Sequence, residues 1–399
     1  MQHFPILQLC ARVKGHPLQY EKIRSAGKDF SNWIEFIRLA EFHGMVPLLH
    51  KHLLGAGCQI PDAMRRSLNL LVRRHAGYAR IRLAAIDEIM AAFFQQGIAS
   101  IVLKGAALSA TLYDEPGERP MRDVDILLPK ENAQEAFDIL TSLGYSTSSA
   151  PIPPDHYHLP AQFRKEATFT LCFEIHRDLY PVCPPYYPEV KFWEMHENSV
   201  DFSCGEYMAK SLGDEDMLNY LYQHGFHCPL TYESFKLINA ADFISHAERV
   251  ASRLDWKEIR QRSPMVYNAL TTMHHITPWD PSIEPALLPA SKGANRSMEV
   301  APFTGWPAQK LKQQKGLGKS VLQIITTTFF PPRWWLQLYY GVNTSLGLVH
   351  TLVVKHPAHI FWWIRLYSTY LKPTGNVKAG GNSSSWGRLQ ALLVKLFGR

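Results

Sequence analysis

The amino-acid sequence predicts an α+β protein in which a compact unit of strands and helices is embedded between an N-terminal and a C-terminal helical region. Three observations carry this reading. Stretches on both sides repeat apolar residues at three- and four-residue steps, a middle stretch alternates apolar with polar residues, and glycines stand where the texture changes. With 399 residues there is length for several domains and a sizeable core. At 46% hydrophobic and 19% charged, the chain is globular in composition, which sets it apart from disordered proteins.

Taken in order, residues 1–96 read as an N-terminal helical region. WIEFIRLAEFHGMVPLLHKHL (33–53) has helical spacing, and so does RIRLAAIDEIMAAFFQQG (80–97), with Gly97 as its C-terminal cap. An α/β core follows over 97–205. IASIVLKG (98–105) is a short β-branched run stopped by glycine, a buried strand; AALSATLY (106–113) is a helix and DEPGERP (114–120) a loop. RDVDILL (122–128) is a second strand, and ENAQEAFDILTSLGY (131–145) an amphipathic helix stopped at Gly144. ATFTLCFEIHRDL (167–179) alternates: Phe169, Leu171, Phe173 and Ile175 face one way, Thr168, Thr170, Cys172, Glu174 and His176 the other.

Residues 206–276 return to helical spacing and should pack on the core. The stretch 277–320 reads as a linker or long loop, 321–373 as an aromatic-rich helical segment, and 374–399 as a disordered tail with a short amphipathic end. GVNTSLGLVHTLVV (341–354) is too short to span a bilayer, which takes roughly 18 to 20 apolar residues, and reads as a buried helix. No integral membrane span is therefore expected.

The formal charge of +7 is a mild excess over a long chain, compatible with a phosphate-bearing partner or with a plain basic surface. Six scattered cysteines without a CxxC pair argue against a disulfide framework and fit a reducing cytoplasm. The first residues lack a charged leader before their short apolar run, so no signal peptide is expected.

The chemistry concentrates in the core. Asp123 and Asp125 are two residues apart on a predicted strand, which puts both carboxylates on one face, with α-carbons about 6.6 Å apart. Such a pair can hold hard cations such as Mg²⁺. A bare Asp-x-Asp is more often an exposed strand edge salt-bridged to a neighbour, here Arg119 or Arg122. The strand–Gly105–helix turn one helix earlier makes the metal reading more specific, since free N–H groups at a helix start attract phosphate. Lys104 can add a point charge there, or be a solvated strand-end lysine. Glu174 supplies a third acid on the polar face of its strand. His176 can hydrogen-bond an acid or the substrate, or be a partly buried strand histidine.

LKGAAL, RDVDILL and FEIHRDL together resemble the nucleotidyltransferase superfamily that includes polymerase-beta-like enzymes. More closely, they are similar to the family of uncharacterised nucleotidyltransferases associated with bacterial polysaccharide clusters, over roughly residues 30–260. The resemblance implies a small mixed β-sheet core flanked by helices, two metal ions, Mg²⁺ by expectation, and transfer of a nucleoside monophosphate from a nucleoside triphosphate to an acceptor hydroxyl on a sugar, protein or RNA. It assigns Gly105 to the nucleotide turn, Asp123 and Asp125 to the metal pair and Glu174 to the third acid. Ala106 stands where the superfamily has a second glycine or serine, so phosphate contact would rest on backbone N–H groups, Lys104 or Ser109. The interval from Gly105 to Asp123 is longer than the common spacing, and the loop that lengthens it can carry Arg119 or Arg122 over the phosphates. Ala106 also keeps open a second reading, a non-catalytic nucleotide- or protein-binding module on the same fold.

Other signals are weaker. GLGKS (316–320) has Gln313 where a P-loop needs glycine. The histidines lack paired zinc spacing, no GxSxG supports a hydrolase, and the lysines at 310, 312, 315 and 319 lack interleaved aromatics.

Overall fold

The computed structural model describes residues 4–27, 32–147, 156–167, 169–180, 190–225, 236–287, 320–331, 333, 336, 340, 342 and 344–362. The chain divides into two compact units. Met1–Ser149, Tyr157–His227 and Ser234–Pro302 make the first; Ala150–His156, Cys228–Glu233 and Phe303–Arg399 make the second.

The first unit is built on a seven-stranded mixed sheet of order β3-β4-β5-β2-β1-β7-β6. Its strands are β1 (Ile101–Val102), β2 (Val124–Leu127), β3 (Ser146–Thr147), β4 (Gln162–Glu166), β5 (Phe169–His176), β6 (Val200–Ser203) and β7 (Met208–Ser211). The expected mixed α+β class holds. Three of the strands are those expected from sequence. The other four are short or weakly alternating, and β7 lies in a stretch read as helical. The middle of the sheet sets up the chemistry. β2 runs antiparallel to β1 and parallel to β5, with Asp125 opposite Glu174 and Leu127 opposite His176.

Alternation along β2 and β5 sorts the two faces. Val124, Ile126, Leu128, Leu171, Phe173 and Ile175 join one buried core with Ile86, Ile89 and Phe93 of the long helix α5 (Asp62–Gln95) and with Ala136 and Leu140 of α7 (Ala133–Ser142). Asp125, Leu127, Cys172, Glu174 and His176 therefore point to the opposite face. Both helices end on glycines in the left-handed region. Gly97 (φ +66°) and Gly144 (φ +85°) each precede a residue whose N–H returns to the last turn, Ile98 to Phe93 and Tyr145 to Leu140.

The N-terminal helices α1 (Phe4–Leu9), α2 (Pro17–Ala26), α3 (Trp33–Phe42) and α4 (Val46–Gly55) do not stand apart from the later ones. The Val13 amide donates to Ser245 Oγ at 2.8 Å, on helix α10 (Leu237–Val250), and Thr277 Oγ1 donates to the Leu9 carbonyl at 3.1 Å. Residues 277–287, read as the start of a linker, include the fully buried Trp279 and the short helix Glu284–Leu287; the remainder of the 277–319 stretch and the 374–399 tail lie outside the described residues.

In the second unit, Val321–Phe329 and Ser345–His350 are helical, and the latter continues through a π-helical turn at Thr351–Lys355. The 341–354 stretch is helical where described from Ser345 on, as expected, but not buried. Leu346, Val349, Val353 and Val354 are exposed, because Leu348, Thr351 and His356 take the inner positions. Among the described residues no helix is long and apolar enough to cross a membrane.

Two predictions follow from packing. Loop residue Gly117 lies so close to α5 that an added Cβ would stand 2.6 Å from the Ala76 α-carbon, whereas one on Gly77 of the same helix would meet nothing within 4 Å. Gly117→Ala should lower stability by about 1–3 kcal/mol through overpacking, and Gly77→Ala should raise it by about 0.5–1 kcal/mol, both read from urea midpoints. Second, His43, His52 and His246 are buried, and burial pushes each down to about 4. They stay neutral in the fold, while the unfolded chain takes up protons below about pH 6.5. Stability should be intact above that pH and fall as pH drops toward 4, by about 2 kcal/mol per histidine at pH 5. A urea midpoint unchanged between about pH 7.5 and pH 5 would contradict this.

Candidate active site

Asp125 is the centre of the site. It is 2% exposed, and both its oxygens meet a cationic partner. Lys104 Nζ lies 2.9 Å from Oδ2, and His176 Nε2 donates to Oδ1 at 3.0 Å. Each partner comes from a different element. Lys104 opens helix α6 (Lys104–Thr111) straight from the end of β1, where the Leu103 amide donates to the Asp125 carbonyl at 2.9 Å. This abrupt turn puts Lys104 itself at φ +29°, a region rare for any residue with a Cβ. The strain at the strand–helix junction thus falls on the lysine, while Gly105 is already helical. His176 arrives from β5, two residues after Glu174 on the same face. Its Nε2 is 3.7 Å from Glu174 Oε2, and its Nδ1 reaches the Asp178 carbonyl at 3.4 Å.

Charge balance explains how these groups coexist. Burial alone would raise the Asp125 carboxyl; the Lys104 ammonium and the His176 imidazole outweigh it and hold it well below the usual carboxylate range. Burial likewise opposes the imidazolium of His176, yet its hydrogen bond to Asp125 and the nearby Glu174 carboxylate lift it to about 9. Lys104 is partly buried, its side chain 15% exposed, and against that burial the Asp125 charge keeps it above its ordinary value. Asp123 behaves differently. It stands one residue before β2, half-buried, and burial together with the Asp125 charge raises its carboxyl.

The ligand atoms of Asp125, Glu174 and His176 lie within 4.8 Å of one another and can hold a metal ion. Asp123 is outside that trio but feels the charges of Asp125, Lys104 and Glu174. Glu174 is the accessible member, its side chain 24% exposed.

The other candidates are placed as follows. Gly105 is buried in the first turn of α6, and an added Cβ there would sit 3.4 Å from Arg119 Nη1. The Arg119 guanidinium is engaged by Asp242 of α10, through Nε at 2.9 and 3.0 Å and Nη2 at 2.6 Å, and Tyr113 donates to the same carboxylate at 2.7 Å. Ser109 is buried one turn in and donates to the Ala106 carbonyl at 2.7 Å. Arg122 is exposed.

Several neighbours were not singled out from sequence. Buried Arg82 donates to the Met121 carbonyl at 2.5 Å, packs 4.4 Å over the Phe169 ring and feels the Asp123 charge; burial lowers it to about 10. Half-buried Lys236 is pushed down to about 8 by burial and by Arg122 and Arg119. Tyr220 of α9 (Asp214–Gly225) is buried and feels the charges of Lys104 and Asp125. Cys172 shares the polar face, and burial and Glu174 raise its thiol to about 12. Only Cys172 carried a signal in the sequence, its phase on β5.

A family model described as an uncharacterised nucleotidyltransferase matches residues 29–269. No curated protein and no solved structure matches the chain. The match covers more than half of the 399 residues and contains Lys104, Gly105, Asp123, Asp125, Glu174 and His176, so the chain belongs to the uncharacterised nucleotidyltransferase family.

Proposed function

We propose that this protein moves a nucleoside monophosphate from a nucleoside triphosphate to an acceptor hydroxyl on a sugar, protein or RNA. The observation that carries the reading is the adjacency of Asp125 and Glu174 across the parallel strands β2 and β5, with His176 completing a compact donor set. Two carboxylates suit Mg²⁺, and the imidazole nitrogen extends the fit to Mn²⁺ once its proton is released. Asp125, Glu174 and His176 would hold the cation, with Asp123 beside them. When bound, the cation neutralises charge on the phosphates as pyrophosphate departs.

The chain's own groups account for the rest. Leu103, the residue before α6, has no side-chain acceptor to cap the helix, which leaves the first-turn N–H groups of Gly105 and Ala106 suited to phosphate oxygens. Ala106 is no obstacle to such backbone contact. Arg122 and Lys236 add positive charge on the Asp123 side. Arg122 is a better phosphate partner than Arg119, whose fork is taken by Asp242. Ser109, buried and bonded to its own helix, is the weakest candidate. Lys104 holds Asp125 in place, and His176 does so until its proton is released to free the nitrogen for the cation. Glu174 takes the proton of the acceptor hydroxyl; the oxygen then attacks the α-phosphorus and the bond to the β-phosphate bridge breaks.

The test is label transfer. The chain is incubated with each α-labelled nucleoside triphosphate, Mg²⁺ and cell extract, and acceptors are separated by class. Transfer should occur and drop on the order of 10²-fold or more in Glu174→Gln, a partly exposed position where the fold is expected to persist. Nucleotide binding without transferred label in any extract would instead identify a non-catalytic module.

A further inference from the structure

The second unit contains a helix that buries several polar side chains and exposes an apolar stripe. From Ser345–His350 through the π-helical turn and on to His359, the inner positions combine Leu348 with Thr351, His356 and His359, the last three each at most 1% exposed. Both histidines meet the Tyr340 hydroxyl, at 2.9 and 3.1 Å through their Nδ1 atoms, and His356 Nε2 lies 2.7 Å from the Thr328 carbonyl. The outer positions are apolar: Leu346 is 82% exposed, Val353 67%, Val349 59% and Val354 52%. Leu322, on the neighbouring helix Val321–Phe329, is 73% exposed. Water is a poor solvent for such a surface, and a soluble helix of this length normally turns it inward.

Charge identifies what covers it. Residues 300–399 hold twelve lysines and arginines and no aspartate or glutamate. The whole chain has 42 basic and 35 acidic residues, so residues 1–299 carry 30 against 35 and are net acidic. The positive excess is thus confined to the last hundred residues, which also hold six of the ten tryptophans. Exposed Lys355 follows Val353 and Val354 directly, and exposed Arg333 belongs to the same unit. Apolar side chains beside cations, with no acids and abundant tryptophan, match the boundary between lipid headgroups and acyl chains. A second copy of this unit would carry the same positive charge and repel the first; a neutral protein surface would leave Lys355 without a partner.

We propose that this unit docks on an anionic bilayer surface, with Leu346, Val349, Val353 and Val354 entering the headgroup layer and Lys355 pairing with lipid phosphates. The attachment is peripheral and independent of the transfer reaction.

Flotation of the full chain with vesicles tests it, using phosphatidylcholine alone against equal parts of phosphatidylcholine and phosphatidylglycerol. The chain should float with the anionic vesicles, less so as salt rises. Leu346→Asp with Val353→Asp should weaken partition at least about tenfold, with the circular dichroism spectrum unchanged. Should that double variant misfold, Lys355→Gln serves in its place, with a loss of roughly fivefold. Failure to float with either vesicle overturns the proposal, as does flotation indifferent to lipid charge and to these substitutions. A dimer seen by light scattering that Leu346→Asp separates would assign the face to a second copy, and an RNA oligonucleotide bound in place of vesicles would assign it to nucleic acid; either result overturns the proposal as well.

Discussion

A carboxylate taken out of water needs its charge met by groups that stay in place, and the first unit is arranged around that need at Asp125. Its two oxygens are met by Lys104 and His176, which arrive from the β1–α6 turn and from β5. The ion pairs therefore fasten three neighbouring strands at one level, beside the backbone bond from Leu103 to Asp125. Removing either cation would leave a buried charge half compensated. The left-handed conformation of Lys104 fits the same account. A strained backbone, worth on the order of 1–2 kcal/mol, persists where the side chain's partner holds it.

A second set of interactions brings distant chain to the site. The loop that separates Gly105 from Asp123 is tied to α4 by Lys51, which meets Asp114 at 2.6 Å and Glu118 at 2.9 Å. It is tied to α5 by the close approach of Gly117, and to α10 by the pair of Arg119 and Asp242. Arg119 in turn packs against Gly105. The absent side chain at Gly105 makes room for an arginine whose charge is already met. That places the loop's extra length in a structural role: it carries Arg119 to Asp242 and leaves Arg122 at the exposed end.

What was legible in the sequence follows from how local each signal is. The alternation of β5 is clean because one face packs on α5 and α7 while the other carries Cys172, Glu174 and His176, so the phase of Glu174 could be read directly. Gly97 and Gly144 were legible because the left-handed turn after a helix selects glycine. The partners were not. That Asp125 lies opposite Glu174, and that Lys104 and His176 both reach it, depends on parallel pairing between β2 and β5 and on a turn whose geometry no local pattern specifies. Strands such as Ile101–Val102 and Ser146–Thr147 are too short to show a period, and Asp242 sits 123 positions from Arg119. Asp123 was read as equivalent to Asp125, but β2 begins at Val124, so the two acids meet different surroundings.

The same limit of locality explains the 341–354 stretch. Apolar residues at helical spacing mark a face that avoids water, and the pattern is identical whether that face turns toward a protein core or toward lipid. What separates the cases is the opposite face. A core-facing helix would turn its histidines outward; here His356 and His359 are inside with Leu348, held by Tyr340, while Leu346, Val349, Val353 and Val354 are outside. Each part reinforces the other, since two buried imidazoles sharing one hydroxyl leave little room for the apolar stripe to rotate inward. The acid-free composition of the last hundred residues is legible without any structure, but net charge taken over the whole chain averages it away against an acidic first part. Read in segments, the charge separates a part suited to anionic surfaces from a net acidic part in which Lys104, Arg119 and Lys130 meet the buried carboxylates of Asp125, Asp242 and Asp178.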